Sequence, residues 1–402
     1  MALGCFVSQS LLNVAFIVAL LCLVARLERS FSKFQRLPGI DGAILLYFIA
    51  FFVSAMMGVD SDVSFTYITE LKRPLIAYVV ASSINSRRDA WAVVAATVLG
   101  AWVTTTVEFK QYFFGGTVTI HNITRAYAPY ELTTPSGLAA THNDLAQLAA
   151  QALGLVLVPL LFWANRLGWP QRIAALTSSA WLAVGILRTL SRASLVAALA
   201  GIAVVGAAVQ PRRLLWVIVG LAILYPVMPA SLTIRHENFF GSGNYSNWFR
   251  LRMVEVSLQI AREHMPFGIG RHNFLKVHER MKRPEEEASP HAHNNFLQVL
   301  VDMGIPGIIW FTWFQLGVLV YLFRRTRSPA YEEPERMLLG GVLMAYLTFT
   351  VNGLFHFNLG DALPASLMFV LVGLGYGVGE RLAIKPVPAT DEPPSAASKE
   401  LA

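Results

Sequence analysis

The residues best suited to chemistry lie at His293-Asn294, followed after nine residues by Gly304 and then by Gly307. The pair opens a helical pattern that runs into an apolar span. It therefore sets an imidazole at a membrane surface, and imidazole is the side chain suited to moving protons near neutral pH. Arg188 and Arg192 lie in Leu187-Arg188-Thr189-Leu190-Ser191-Arg192-Ala193-Ser194, between two apolar runs. Charge at that depth is costly and marks a functional position by default. A guanidinium fork matches phosphate at two points; the plainer reading is a snorkelling anchor at a helix end. Arg250 and Arg252 precede an amphipathic helical pattern over Met253–Glu263. A cation near a helix N-terminus opposes the helix dipole, which points to an anion bound there; the plainer reading is a solvated surface arginine. The apolar positions Val254, Leu258 and Ile260 predict a helix lying on the membrane or on the rest of the protein. Pro266-Phe267-Gly268-Ile269-Gly270 ends it as a turn.

Other patterns exclude chemistries. Gly268-Ile269-Gly270 has no preceding strand and is no dinucleotide fingerprint, and the chain has no phosphate-binding loop of the nucleotide type. His291-Ala292-His293 would point to different faces if helical, and no carboxylate pattern accompanies it, so no metal site is expected. Cys5 and Cys22 both fall in the first apolar run and supply no disulfide framework. Glu285-Glu286-Glu287 reads as a solvated loop, and the matches to glycosylation acceptors at Asn122 and Asn244 are at chance level.

The elements that must position these residues follow from composition. Of 402 residues, 55% are hydrophobic and 14% charged, against roughly 25% charged in ordinary soluble domains. The fold class is all-α, a polytopic transmembrane helical bundle. At about 20 apolar residues per crossing, eleven candidate spans are 4–25, 42–58, 64–84, 90–108, 143–163, 172–188, 193–209, 213–230, 304–323, 335–354 and 361–380. Glu70, Lys72, Arg73 and Pro74 interrupt the third, which predicts a kink at the proline. No cleavable signal sequence is apparent. Arginines and lysines gather in alternate loops, at residues 26–36, 87–88, 166–172, 212–213, 324–327 and 381–385, which assigns those loops to the cytoplasm. The opposite, periplasmic side then carries a loop at 109–142 and a long, partly helical one at 231–292. The expected units are N-terminal spans over 1–230, the periplasmic loop over 231–292, C-terminal spans over 293–380 and a disordered cytoplasmic tail over 381–402. An odd count puts the N-terminus outside. All nine histidines (His121, His142, His236, His264, His272, His278, His291, His293 and His356) fall on the outer side. The net charge of +7 comes largely from cytoplasmic arginines, which suits anionic lipid headgroups and is no evidence for nucleic acid.

Together these motifs resemble those of bacterial O-antigen ligases, in the superfamily that also holds O-antigen polymerases and O-oligosaccharyltransferases. Ser191-Arg192-Ala193-Ser194 resembles the family's Ser-Arg-small segment between two central spans. Arg250, sixteen residues before Pro266, resembles the arginine ahead of the family's Pro-x-Gly-x-Gly turn, and His293-Asn294 with Gly304 and Gly307 fits the ligase histidine pattern. The N-terminus is shorter than the family pattern by about one helix. The resemblance implies a bacterial inner-membrane enzyme of lipopolysaccharide biosynthesis with its active site facing the periplasm. Its donor would be O-antigen polysaccharide on undecaprenyl diphosphate, its acceptor lipid A-core, and it would use no metal or nucleotide cofactor.

That reaction gives each candidate a role. A lipid diphosphate leaving group needs cations, for which Arg192 and Arg250 are the candidates. A sugar hydroxyl needs a base, for which His293 is the candidate. Arg188, Asn294 and Arg252 are candidate substrate contacts. One base without an evident buried carboxylate pair implies direct displacement with inversion. A polymerase or protein O-oligosaccharyltransferase of the same superfamily is the nearest alternative. A lipid-linked sugar or anion transporter would instead place its charges near the midplane of its spans.

Overall fold

Long runs of apolar residues bounded by capping residues dictate the elements. The computed structural model describes residues 1–27, 34–120, 123–127, 136–224, 245–284 and 286–383. Among these, the helices are α1 (Gly4–Val7), α2 (Gln9–Leu27), α3 (Asp41–Met57), α4 (Ser61–Thr66), α5 (Lys72–Ser83), α6 (Arg87–Phe114), α7 (His142–Trp163), α8 (Trp169–Arg188), α9 (Arg192–Val209), α10 (Pro211–Leu224), α11 (Tyr245–Glu263), α12 (Phe274–Met281), α13 (Asn295–Arg327), α14 (Glu333–Asn352) and α15 (Ala362–Arg381). One antiparallel hairpin, β1 (Gly116–Ile120) and β2 (Ile123–Tyr127), follows α6. Ser86 caps α6 by accepting from Asp89 N, and Thr141 with Asp144 forms a reciprocal capping box on α7.

Helices occupy all eleven expected spans, and α6, α7, α9, α13 and α15 are long and apolar enough to cross a membrane. The protein is an all-α, multi-pass membrane protein. The third expected span is broken into α4, a 3₁₀ turn over Ile68–Leu71, and α5. The break precedes Pro74, which sits harmlessly in the first turn of α5. Its cause is charge: Glu70 and Arg73 are buried there and pair at 3.2 Å, while Arg73 donates to the Leu359 carbonyl at 2.8 Å. Residues 231–244 of the long loop and the tail from 384 lie outside the described residues.

Helices α7, α14 and α15 form the centre, and α15 is buried over nearly its whole length. Glycine lets α7 and α14 approach: a Cβ on Gly154 would stand 2.9 Å from the Ala345 nitrogen. At one end of the bundle the basic loops meet. Arg87 pairs with Glu332 at 2.6 Å and with Glu335, Arg166 pairs with Glu333 at 2.6 Å, and Arg381 donates to Asn85 at 2.8 Å. The loops that the charge pattern assigned to one side therefore do gather in space.

The other end is roofed by α11 and α12. They close a small second core of Met253, Val256, Ile260, Ile269, Phe274 and Val301. Of the apolar positions expected to mark the buried face of α11, Ile260 is buried in this core, whereas Val254 and Leu258 are 38% and 40% exposed. The seam runs through Met253, Val256 and Ile260, three and four residues apart on one face of the helix.

Candidate functional site

The start of α13 is held by its own amides. Asn294 Oδ1 accepts from Phe296 N at 2.8 Å and Leu297 N at 3.1 Å, and its Nδ2 donates to the Leu354 carbonyl at 2.9 Å. Asn294 is thus a helix cap whose described hydrogen bonds all go to backbone. Asn295, fully buried, receives the Leu359 amide at 3.1 Å and donates to Asn358 at 2.6 Å. Gln298 accepts from Ala292 N at 2.6 Å and donates to Asp302 at 2.8 Å. Clamped between these ties, His293 takes φ +53°, a left-handed conformation uncommon outside glycine.

The first motif glycine, Gly304, is explained at the other end of the same turn-and-helix unit. Gly304 adopts φ +60°, ψ −146° and breaks the α13 ladder. The opened backbone pairs with the Pro266–Gly270 turn: Ile269 N donates to Val301 O at 2.9 Å, Gly270 N to Asp302 O at 3.0 Å, and Ile305 N to Pro266 O at 2.8 Å. A Cβ on Gly268 would stand 2.5 Å from Val301 O, so this contact is between backbones and admits no side chain. Beside it, buried Arg271 pairs with Asp302 and with Glu70, both at 2.8 Å. The turn that follows α11 is thereby locked to the helix that follows His293.

This locking brings the three predicted residues together. Phe249 packs edge-on against His293, ring centroids 5.6 Å apart, which sets the first half of α11 beside the imidazole. Arg250, half-buried, is held below its usual range by burial and then by the charge of Arg192, so the two guanidinium groups feel each other. Among the described residues no carboxylate pairs with Arg250. Arg192 is the first residue of α9, where Leu190 takes φ +55° just ahead. The neighbouring serines tie that end down: Ser194 Oγ accepts from Asn352 Nδ2 at 2.7 Å and from Ser191 at 3.2 Å. The N-termini of α9 and α13 add their partial positive charges to this end of the protein.

Two candidates are engaged elsewhere. Arg188 pairs at 3.0 Å with fully buried Glu108, and its guanidinium lies 3.4 Å from the centre of the Tyr112 ring. Arg252 pairs with Glu286 at 2.9 Å and Glu255 at 2.7 Å. Both charges are compensated within the protein.

The structure also assembles what the sequence reading did not anticipate. His291 and His293 precede α13 rather than lying on it, so their rings do not diverge; their centroids are 4.2 Å apart. His356 joins them from the loop after α14, 5.9 Å from His291 and 6.3 Å from His293. His356 Nε2 lies 3.0 Å from Asp361 Oδ2, and Asp144 of α7 brings a second carboxyl, so that donor atoms of Asp144, His356 and Asp361 lie within 4.8 Å of one another. The expectation that no carboxylate pair stands near the histidine is therefore corrected: Asp144 and Asp361 come from spans more than two hundred residues apart, which no local spacing reveals. Burial first, then the neighbouring histidines and Arg250, lower His293 to about 3; burial and His356 lower His291 to about 4. Both imidazoles are neutral at physiological pH, and a neutral imidazole can accept a proton.

The arrangement can hold an anion on Arg192 and Arg250 and take a proton at His293 beside it. Residues 177–312 match the family model described as O-antigen ligase. The matched segment contains Arg188, Arg192, Arg250, Arg252, His293 and Asn294, and leaves out Asp144, His356 and Asp361. No curated protein matches the chain.

Proposed function

We propose that this chain, which belongs to the O-antigen ligase-type superfamily, transfers O-antigen polysaccharide from undecaprenyl diphosphate to a sugar hydroxyl of lipid A-core. The site faces the periplasm at the outer leaflet of the bacterial inner membrane. The observation that carries the reading is the convergence of Arg192, Arg250 and His293, which lie 101 residues apart along the chain at their extremes. Two cations, of which Arg250 has no acidic partner among the described residues, suit a diphosphate, whose charge grows as the glycosidic bond breaks. Neutral His293 suits a general base that removes the acceptor proton.

The anion and the base are coupled. Burial and the charge of Arg250 keep His293 deprotonated; a bound diphosphate supplies the opposite charge and raises its proton affinity. His293 thus becomes a stronger base when the donor is in place. Direct displacement with inversion follows from a base that activates the acceptor itself. Asp361 Oδ2 lies 3.0 Å from His356 Nε2, and Asp144 Oδ2 accepts from Thr141 N in the capping box of α7, so each carboxyl has a structural tie at one oxygen. Arginines meet the diphosphate charge, and no metal or nucleotide is invoked. The pattern from His293 to Gly307 favours the ligase over a polymerase or protein O-oligosaccharyltransferase of the same superfamily.

The test is transfer by purified protein from lipid-linked O-antigen to lipid A-core, with donor binding measured separately. His293→Ala is expected to abolish transfer and keep donor affinity. A parallel loss of affinity and rate would make His293 a diphosphate ligand instead. In a deletion strain, loss of every O-antigen band with accumulation of lipid-linked polymer marks a ligase. A single-repeat band marks a polymerase, and an unchanged pattern removes the lipopolysaccharide assignment.

A further inference from the structure

His293 in its resting state has few means of keeping a proton. Burial opposes its charged form, and Arg250 and two imidazoles surround it. A proton taken from the acceptor needs a place to go before the next turnover. The groups facing it are His291 from its own turn, Arg250 from α11 with Arg192 of α9 behind, and His356 with Asp361 from the α14–α15 loop; Asp144 of α7 stands beside Asp361.

We propose that His356 and Asp361, backed by Asp144, are the proton store of this site: the proton that His293 takes from the acceptor hydroxyl passes to His356, whose ring Asp361 orients. This rests on the base role proposed for His293. The three imidazoles are contiguous, with centroids 4.2 Å apart between His293 and His291 and 5.9 Å between His291 and His356. The His293 amide donates to His291 Nδ1 at 3.3 Å, which fixes that nitrogen as an acceptor. Asp361 Oδ2 accepts from His356 Nε2, leaving Nδ1 as the proton-accepting nitrogen, the same orientation logic as a carboxylate behind a catalytic histidine. Burial works against the Asp361 carboxylate, but the hydrogen bond and charge of His356 outweigh it and hold Asp361 below the usual carboxylate range.

The step balances without a co-reactant. The acceptor O–H bond breaks and its oxygen bonds the anomeric carbon. The bond from that carbon to the diphosphate oxygen breaks, and the electron pair leaves on the diphosphate. The proton moves from the hydroxyl to His293 and on to His356, and departs to water or to the diphosphate as product leaves. His356 and Asp361 act through His293 and are positioning residues.

The experiment is steady-state transfer as a function of pH by full-length Asp361→Asn, Asp361→Glu and His356→Gln, beside wild type and His293→Ala. Asp361→Asn is expected to lower kcat at least roughly 10-fold, and at most by the about 10⁴-fold seen when the carboxylate behind a triad histidine becomes an amide, with donor KM little changed. Its acid limb in kcat moves to lower pH, because losing the negative charge disfavours the imidazolium. Asp361→Glu restores part of the rate. His356→Gln keeps an N–H for Asp361 but accepts no proton, and it loses the rate as well; it decides the matter should Asp361→Asn fail to fold. Wild-type kcat and pH profile in His356→Gln, with His293→Ala inactive, overturn the store and leave the base standing. Turnover by His293→Ala overturns the base reading itself. Abolition of wild-type transfer by EDTA and its return with a divalent cation would make Asp144, His356 and Asp361 metal ligands and overturn the store.

Discussion

Replacing Gly304 by alanine tests the device that brings the site together. At φ +60°, ψ −146° the residue sits where only glycine is comfortable, and an alanine forced there costs about 1–3 kcal/mol. Its Cβ would also collide with the Pro266 carbonyl oxygen, 2.6 Å from the carbonyl carbon and 2.9 Å from Gly268 N. These are backbone atoms of a turn held by three hydrogen bonds at 2.8–3.0 Å, so relief means lifting the turn. Each such bond contributes about 0.5–1.5 kcal/mol, and the sum with the strain is roughly 3–7 kcal/mol, a large part of a typical native stability. The lifted turn carries α11 with it, and Arg250 moves from His293. Gly304→Ala should therefore lower the unfolding midpoint of the purified protein by on the order of 10 °C and lose transfer beyond what the unfolded fraction explains. Gly220→Ala is the comparator, since nothing lies within 4 Å of its added Cβ. Wild-type midpoint and activity in Gly304→Ala would refute the claim that this backbone pairing positions the site.

Other expectations follow from the same geometry. Arg192→Lys keeps the charge but loses the two-point fork; a loss of about 2–3 kcal/mol, tens- to a hundredfold in rate, is expected in the reconstituted transfer assay, and full activity would reduce Arg192 to an anchor. Because burial lowers His293 to about 3, the neutral base persists as pH falls, so kcat/KM for the donor should show no acid limb from His293 between about pH 5 and 8. The limb in kcat should lie at higher pH, because the bound diphosphate favours the imidazolium; a kcat/KM limb near the ordinary histidine value would contradict this. Arg188→Met leaves Glu108 buried and unpaired and should cost about 3–5 kcal/mol in a thermal or denaturant assay, with Glu108→Gln added to it largely restoring stability. Lost donor binding in that restored double variant would show that Arg188 contacts substrate.

Composition and loop charge were enough to read the helical class, the span positions and the gathering of basic loops at one end, because crossing a bilayer demands long apolar runs and sorts arginines locally along the chain. The motif spacing also marked Arg192 and His293, each beside a helix start, and Arg250, although α11 begins at Tyr245 rather than at the expected Met253 and so carries Arg250 in its second turn. What those boundaries could not tell is which polar groups meet. That Arg188 and Arg252 are neutralised by Glu108 and Glu286 depends on partners 80 and 34 residues away. The buried seam of α11 at Met253 and Val256, rather than Val254 and Leu258, depends on what packs against it, since both stripes have helical spacing. The two histidines at 291 and 293 looked divergent because a helix was assumed through them; the cap at Asn294 starts the helix later and leaves them in a turn. His356 and Asp361 lie five residues apart in one loop, but Asp144 is more than two hundred residues away, and only the packing of α7, α14 and α15 sets the three beside the imidazoles. A sequence period records which face of one element is apolar, whereas a cluster of titratable groups records how several elements dock, and that is decided by tertiary packing alone.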